Sequence, residues 1–190
     1  MIGNVLAGMF VGGAALGDFE SIATVSLTGS QTAIDFTSIA GTYQHLQLRV
    51  LARSTTAGTA QDEIQLQVGN GSIDTASNYS YHFLYGNGTS PVSSAGTSTS
   101  YVRIGFAPRA SATSNSFSGT VIDFLDYSNV NKYKTFRSLG GADLNDTNGI
   151  IALCSGSWRN TAAITHIRLK PESGNSFPAN SYAALYGIKG

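Results

Sequence analysis

The sequence predicts an all-β fold, a jelly-roll-like sandwich of two antiparallel sheets, and three observations carry that prediction. Apolar residues recur with a period of two along most of the chain after Phe19, the repeat of a strand with one buried face. Clusters of Gly, Asn, Asp and Ser break these runs at short intervals and supply positions that tolerate a positive φ. Outside the N-terminus no window holds a helical stripe, because Gly, Ser and Thr interrupt each one. A chain of 190 residues is long enough to bury one two-sheet core, and a jelly roll uses about eight strands. An immunoglobulin-type sandwich is the alternative arrangement.

Taken in order, the first element is an arm, residues 1–18, set before a sandwich domain of residues 19–190. Residues 1–17 are apolar and uncharged, and Gly3, Gly8, Gly12, Gly13 and Gly17 punctuate them. No Lys or Arg precedes Arg49, so a secretory signal with its positive start is not expected. The apolar stretch also falls short of the roughly 20 residues a membrane helix needs, although Gly8 and Gly12 have a close-packing spacing. A free apolar tail in water promotes aggregation, so burial against a neighbouring subunit is the reading adopted, through Val5, Leu6, Met9, Phe10, Val11 and Leu16.

Strands are expected at Ile22 to Leu27, Ala33 to Phe36, His45 to Arg53, Asp62 to Val68, Tyr79 to Tyr85 and Tyr101 to Phe106. Further strands are expected at Phe117 to Tyr127, Tyr133 to Leu139, Gly149 to Trp158, Ile164 to Leu169 and Tyr182 to Ile188. In the third, Leu46, Leu48, Val50 and Ala52 share one face, while Gln47, Arg49 and Arg53 share the other. In the fourth, Ile64, Leu66 and Val68 point inward, and both strands are expected to keep one wet face. Ser93 to Ser100 and Ala110 to Ser118 read as Ser/Thr/Gly/Ala-rich loops.

Charge narrows the function. Only 12% of residues are charged, 11 basic against 11 acidic, so no basic field draws nucleic acid and little repulsion keeps copies apart. Cys154 is the single cysteine and lies in the apolar run from Ile150, which reads as burial and rules out an internal disulfide or a cysteine metal cluster. His45, His82 and His166 are scattered without metal-ligand spacing. Asp123 and Asp126, three apart on one strand, point to opposite faces, so a strand-edge hydrogen bond or a salt bridge to Arg137 or Arg159 is expected rather than shared acid–base work. Asp143 to Gly149 loosely matches a calcium loop, but Asn148 and Cys154 occupy the positions that need Gly and Glu, and an Asx-rich turn explains it. There is no phosphate loop, nucleophile elbow or other catalytic motif, so no enzyme activity, cofactor or metal is expected. Tyr79, Tyr81 and Tyr85 share a strand face with Phe83 and read as a core wall, with a sugar-stacking surface as the alternative.

Several segments together resemble a known group. They are Tyr43 to Arg49, Ser77 to Ser80 with Leu84 to Gly88, Ile122 to Tyr127 leading to Asn131 to Thr135, Ser155 to Arg159, and the ending Leu185-Tyr186-Gly187-Ile188-Lys189-Gly190. They resemble small virion proteins of tailed phages of marine and freshwater bacteria, including cyanophages. The similarity covers nearly everything after residue 20, and the ending is its most specific part. The resemblance implies a structural role in the virion, at the head or the tail, with no catalytic residues. A capsid decoration or cement protein on the outer capsid surface is the expectation, trimeric and bound to the major capsid protein. A tail-tip or fibre receptor binder for a host glycan and a membrane-attached module are the alternatives.

Overall fold

The computed structural model describes residues 17–58, 60–145, 147, 149–172 and 174–190, and every regular element among them is a strand. The strands are β1 (Phe19–Ser26), β2 (Ile34–Phe36), β3 (His45–Ala52), β4 (Gln61–Gly69), β5 (Tyr79–Gly86) and β6 (Pro91–Thr99). They continue with β7 (Val102–Pro108), β8 (Ser118–Leu125), β9 (Lys134–Ala142), β10 (Ile150–Trp158), β11 (His166–Pro171) and β12 (Tyr182–Ile188). A large sheet of eight strands runs in the order β1-β12-β3-β8-β9-β10-β5-β6, and a small sheet of four in the order β2-β11-β4-β7. All pairings are antiparallel, as the expected class requires. The strand order establishes a two-sheet sandwich and goes no further towards a jelly roll, since one sheet has twice the strands of the other.

Alternation places the core between the sheets. Leu46, Leu48, Val50 and Ala52 of β3 join one buried cluster with Ile64, Leu66 and Val68 of β4, as their period of two demands. Each such aliphatic side chain contributes roughly 1.5–3 kcal/mol by leaving water. Trp158, Phe124 and Phe136 fill the same interior, the last two meeting edge to face with centroids 5.4 Å apart. At Gly156 a Cβ would stand 2.3 Å from Val102 Cγ1, so the missing side chain is what lets β7 lie close over β10.

Three expectations are corrected. Pro91–Thr99 is a strand, not a loop; it lacks an apolar stripe and takes its form by pairing with β5 at the sheet's edge. The second face of β4 is not wet, because Gln65 and Gln67 are buried and Gln67 Nε2 donates to the Ser100 carbonyl at 2.8 Å. Arg53 does not project into water with Arg49. Its guanidinium donates to the carbonyls of Thr113, Ser116, Ala112 and Ala110, at 2.8, 2.9, 2.8 and 3.2 Å. That one side chain thereby organises the loop between β7 and β8.

Candidate assembly surface

The outer face of the large sheet carries the most unusual surface of the molecule. Register aligns Leu84 of β5 with Leu153 of β10, Leu153 with Leu139 of β9, and Leu139 with Val121 of β8. These four side chains form one transverse row, about 14 Å long at the normal strand spacing. Leu84, Leu153 and Leu139 are 49%, 49% and 56% exposed and Val121 39%, so none is buried by the described residues. Ile151 stands beside the row at 63% exposure, because its partners on both sides, Gly86 and Gly141, have no side chains to shield it.

A polar row lies two residues away along the strands, with Gln47, Asp123, Arg137, Ser155 and His82 in register. Arg137 Nη2 meets Asp123 Oδ2 at 2.8 Å, and Gln47 Nε2 donates to Asp123 Oδ1 at 3.1 Å. This is one of the two ion pairs anticipated for Asp123. Between the rows and Leu125 opens a depression of about 620 Å³, lined by His82, Leu84, Ala95, Leu125, Arg137 and Leu153 among others. Beyond β5 the sheet ends in β6, an edge strand with no charged residue to block pairing by another chain.

A second cluster sits on the covered side of β4. Arg103 lies over the rings of Phe83 and Tyr81, 4.6 and 5.5 Å from their centroids, and its Nε meets Glu63 Oε2 at 2.5 Å as an ion pair. Glu172 approaches the same guanidinium at 3.8 Å. Burial, with a hydrogen bond to Glu172, pushes the Glu63 carboxyl up to about 8 despite Arg103. Close as they are, Glu63 Oε2 and Arg103 Nε have no hydrogen-bond partner of good geometry, so the cluster is held by charge and stacking more than by hydrogen bonds.

The residues singled out in the sequence fall as follows. Tyr79 and Tyr81 are buried and Tyr85 is half-buried, so the face they share is a wall of the interior. The Tyr79 hydroxyl shares its one proton between the carbonyls of Val68 and Asp74, both 2.8 Å away, and its oxygen accepts from the Val68 N–H at 3.0 Å. Tyr81 is covered by β6, where a Cβ on Gly96 would come within 2.6 Å of its ring. The rings of Tyr79 and Tyr81 are therefore not offered as platforms for a sugar.

Cys154 is buried, and burial pushes its thiol up to about 11. Asp126 lies past the end of β8 at a φ of 48°, where Lys132, then Gln44, hold its carboxyl below the usual range by hydrogen bonds. It shares no site with Asp123. Asp143 Oδ1 accepts the Asn145 N–H at 2.9 Å, an Asx turn. No group of three or more His, Cys, Asp or Glu side chains is placed to hold a metal among the described residues. Val5, Leu6, Met9, Phe10, Val11 and Leu16 of the arm lie outside the described residues.

The exposed apolar row is the feature that sequence reading missed. Its signal was present in Ile150-Ile151-Ala152-Leu153, where apolar residues occupy both faces of a strand. Such a run reads as a strand buried on both sides, whereas here one side is open. Comparisons of the chain with protein-family models, with curated proteins and with solved structures returned no match.

Proposed function

We propose that the protein is a non-enzymatic structural component of a tailed-phage virion, a decoration or cement protein that binds the major capsid lattice and acts as a trimer. The observation that supports this most is the row of half-exposed Leu84, Leu153, Leu139 and Val121 on an otherwise regular sheet. Surfaces of that kind mark protein–protein contact. Each apolar Å² they remove from water contributes about 25 cal/mol, offset by ordering costs, and many copies on one lattice add up through multivalency. The near absence of net charge lets copies crowd, and the motifs from Tyr43 to the Leu185–Gly190 ending fit the phage group they resemble.

Fractionating particles of the parent phage tests the reading. The protein is expected to stay with heads emptied of DNA and to appear there in cryo-electron microscopy density. Recovery with the tail fraction alone, or reproducible turnover of a substrate by pure protein, would remove the head-decoration reading.

A further inference from the structure

The outer face of the large sheet is complementary to itself. We propose that two copies pack this face against each other about a two-fold axis that runs between β9 and β10, close to the strand direction. The inference goes beyond the virion reading and does not rest on it, and a two-fold contact joins one trimer to the next rather than closing three copies.

The apolar row sets the axis. Its members sit on β8, β9, β10 and β5, so its midpoint falls between Leu139 and Leu153. A two-fold through that point lays the row on itself: Leu139 meets Leu153 of the second copy, and Val121 meets Leu84. Two residues along the strands, the same four carry Gly119, Gly141, Ile151 and Gly86 in register, and the axis exchanges Gly141 with Ile151. The Ile151 side chain, 63% exposed, is thereby set over a depression of about 480 Å³ that Gly141, Gly86 and Leu139 help to line on the other copy. A knob and a hole that change places under one operation are what an isologous contact requires. An unrelated partner has no reason to match that symmetry.

Charge agrees with the same axis. On the polar row Arg137 falls opposite Ser155 of the second copy, and Asp123 falls opposite His82. Arg49, beside Val121 at the end of the apolar row, leans over the rings of Phe19 and Tyr186, 5.3 and 5.1 Å from their centroids. It falls opposite the uncharged Ser93 of β6, at the rim, where water still reaches it. No two like charges oppose each other, and no unpaired ion is carried to the dry centre.

The packing is of an ordinary kind. Aligned sheets stack about 10 Å apart with strands crossing near −30°, so each copy's strands lean about 15° from the axis. That lean shifts residues two positions from the centre by about 3.5 Å, less than one strand spacing, and the pairs persist. From β3 to β6 six strands span about 24 Å, and seven residues along them about 20 Å, a projection of about 500 Å². Accessible surface exceeds its projection, which brings the face towards the roughly 800 Å² per partner of a standard interface.

Cysteine trapping in the full-length chain tests the axis. In a Cys154→Ala background, one chain carries Val121→Cys and another carries Leu84→Cys. Within a chain these positions lie three strands apart, about 14 Å, whereas a disulfide needs Cα atoms within about 7 Å, so any link joins two copies. Under mild oxidation the mixed pair is expected to link at least tenfold faster than either variant links to itself. Ile151→Lys, in the otherwise unaltered chain, is expected to weaken self-association at least tenfold by sedimentation, with an unchanged circular dichroism spectrum. Should that variant misfold, Leu139→Ser with Leu153→Ser carries the same expectation. Equal linking of mixed and matched variants would overturn the axis. Monomers at every concentration, or self-association unmoved by these changes, would overturn the pairing and give the face to residues 1–16 of the same chain or to another protein. Purified protein is used throughout, so a failure of the head-decoration reading leaves this contact standing.

Discussion

The flank of β4 and β7 buries polar side chains, while the outer face of β8, β9, β10 and β5 exposes apolar ones. On the first, the larger departures from the usual inside–outside rule meet partners nearby, although Gln61 Nε2 has no hydrogen-bond partner. Arg103 faces Glu63, Glu172 and two aromatic rings, and Gln67 finds the Ser100 carbonyl. On the second, Leu139, Leu153 and Ile151 remain exposed over about half their surface or more, with nothing in the described chain placed over them. Buried polarity of the first kind belongs to folding. Exposed apolarity of the second kind costs solubility unless something else covers it, so it belongs to association.

Breaking the inner region gives the largest expected effect. Arg103→Ala removes the cation that faces two rings and the hydrogen-bonded Glu63–Glu172 carboxyl pair, and unfolding in urea is expected to show a loss of about 3 kcal/mol. Arg103→Lys keeps the charge but not the planar stack, and is expected to fall between the two. An Arg103→Ala protein with an unchanged urea midpoint would show that the cluster contributes nothing to stability.

The same cluster makes stability depend on pH, with a smaller effect because Glu172 is 40% exposed and water screens it. The folded state holds the Glu63 proton up to about 8, against an ordinary value near 4.5. Folded protein therefore binds more protons than unfolded protein between those limits, and stability falls as pH rises through them. Thermal melts at several pH values check this. Glu63→Gln, which keeps the neutral hydrogen-bonding form, is expected to flatten the slope, and a slope that persists would assign the titration elsewhere.

The contrast also separates what the sequence makes legible from what it hides. The inner faces of β3, β8 and β10 follow directly from alternation, because burial of one face fixes the period of two whatever the neighbours are. β6 is invisible to that logic: Val92 is its one large aliphatic residue, and the strand exists because β5 offers it a ladder. Gln65 and Gln67 look wet because their neighbours come from later in the chain: Arg103 of β7 stands opposite Gln65 and the Ser100 carbonyl meets Gln67. Arg53 was legible as a charge on a strand's outer face but not as the anchor of residues 110–116, since carbonyl positions depend on tertiary structure. The apolar row is hidden for a similar reason. Leu84, Leu139 and Leu153 become one surface through cross-strand register alone, and register is a property of pairing.

The smallest expected effect is the most discriminating. If the outer row is an association surface, Leu139→Ser with Leu153→Ser removes little from the folding of a single chain. The change is expected to be roughly 0.5 kcal/mol per site or less when the protein is dilute enough to be monomeric. At high concentration the unaltered chain is expected to melt at a higher temperature than when dilute, because association stabilises the folded state by mass action, and the serine pair should abolish that dependence. Calorimetry of both proteins across a hundredfold concentration range measures the two quantities together. A dilute serine variant that lost as much stability as Arg103→Ala would mean that the row is already packed by its own chain. The two regions would then follow the same rule, and the assignment of one to folding and the other to assembly would fail.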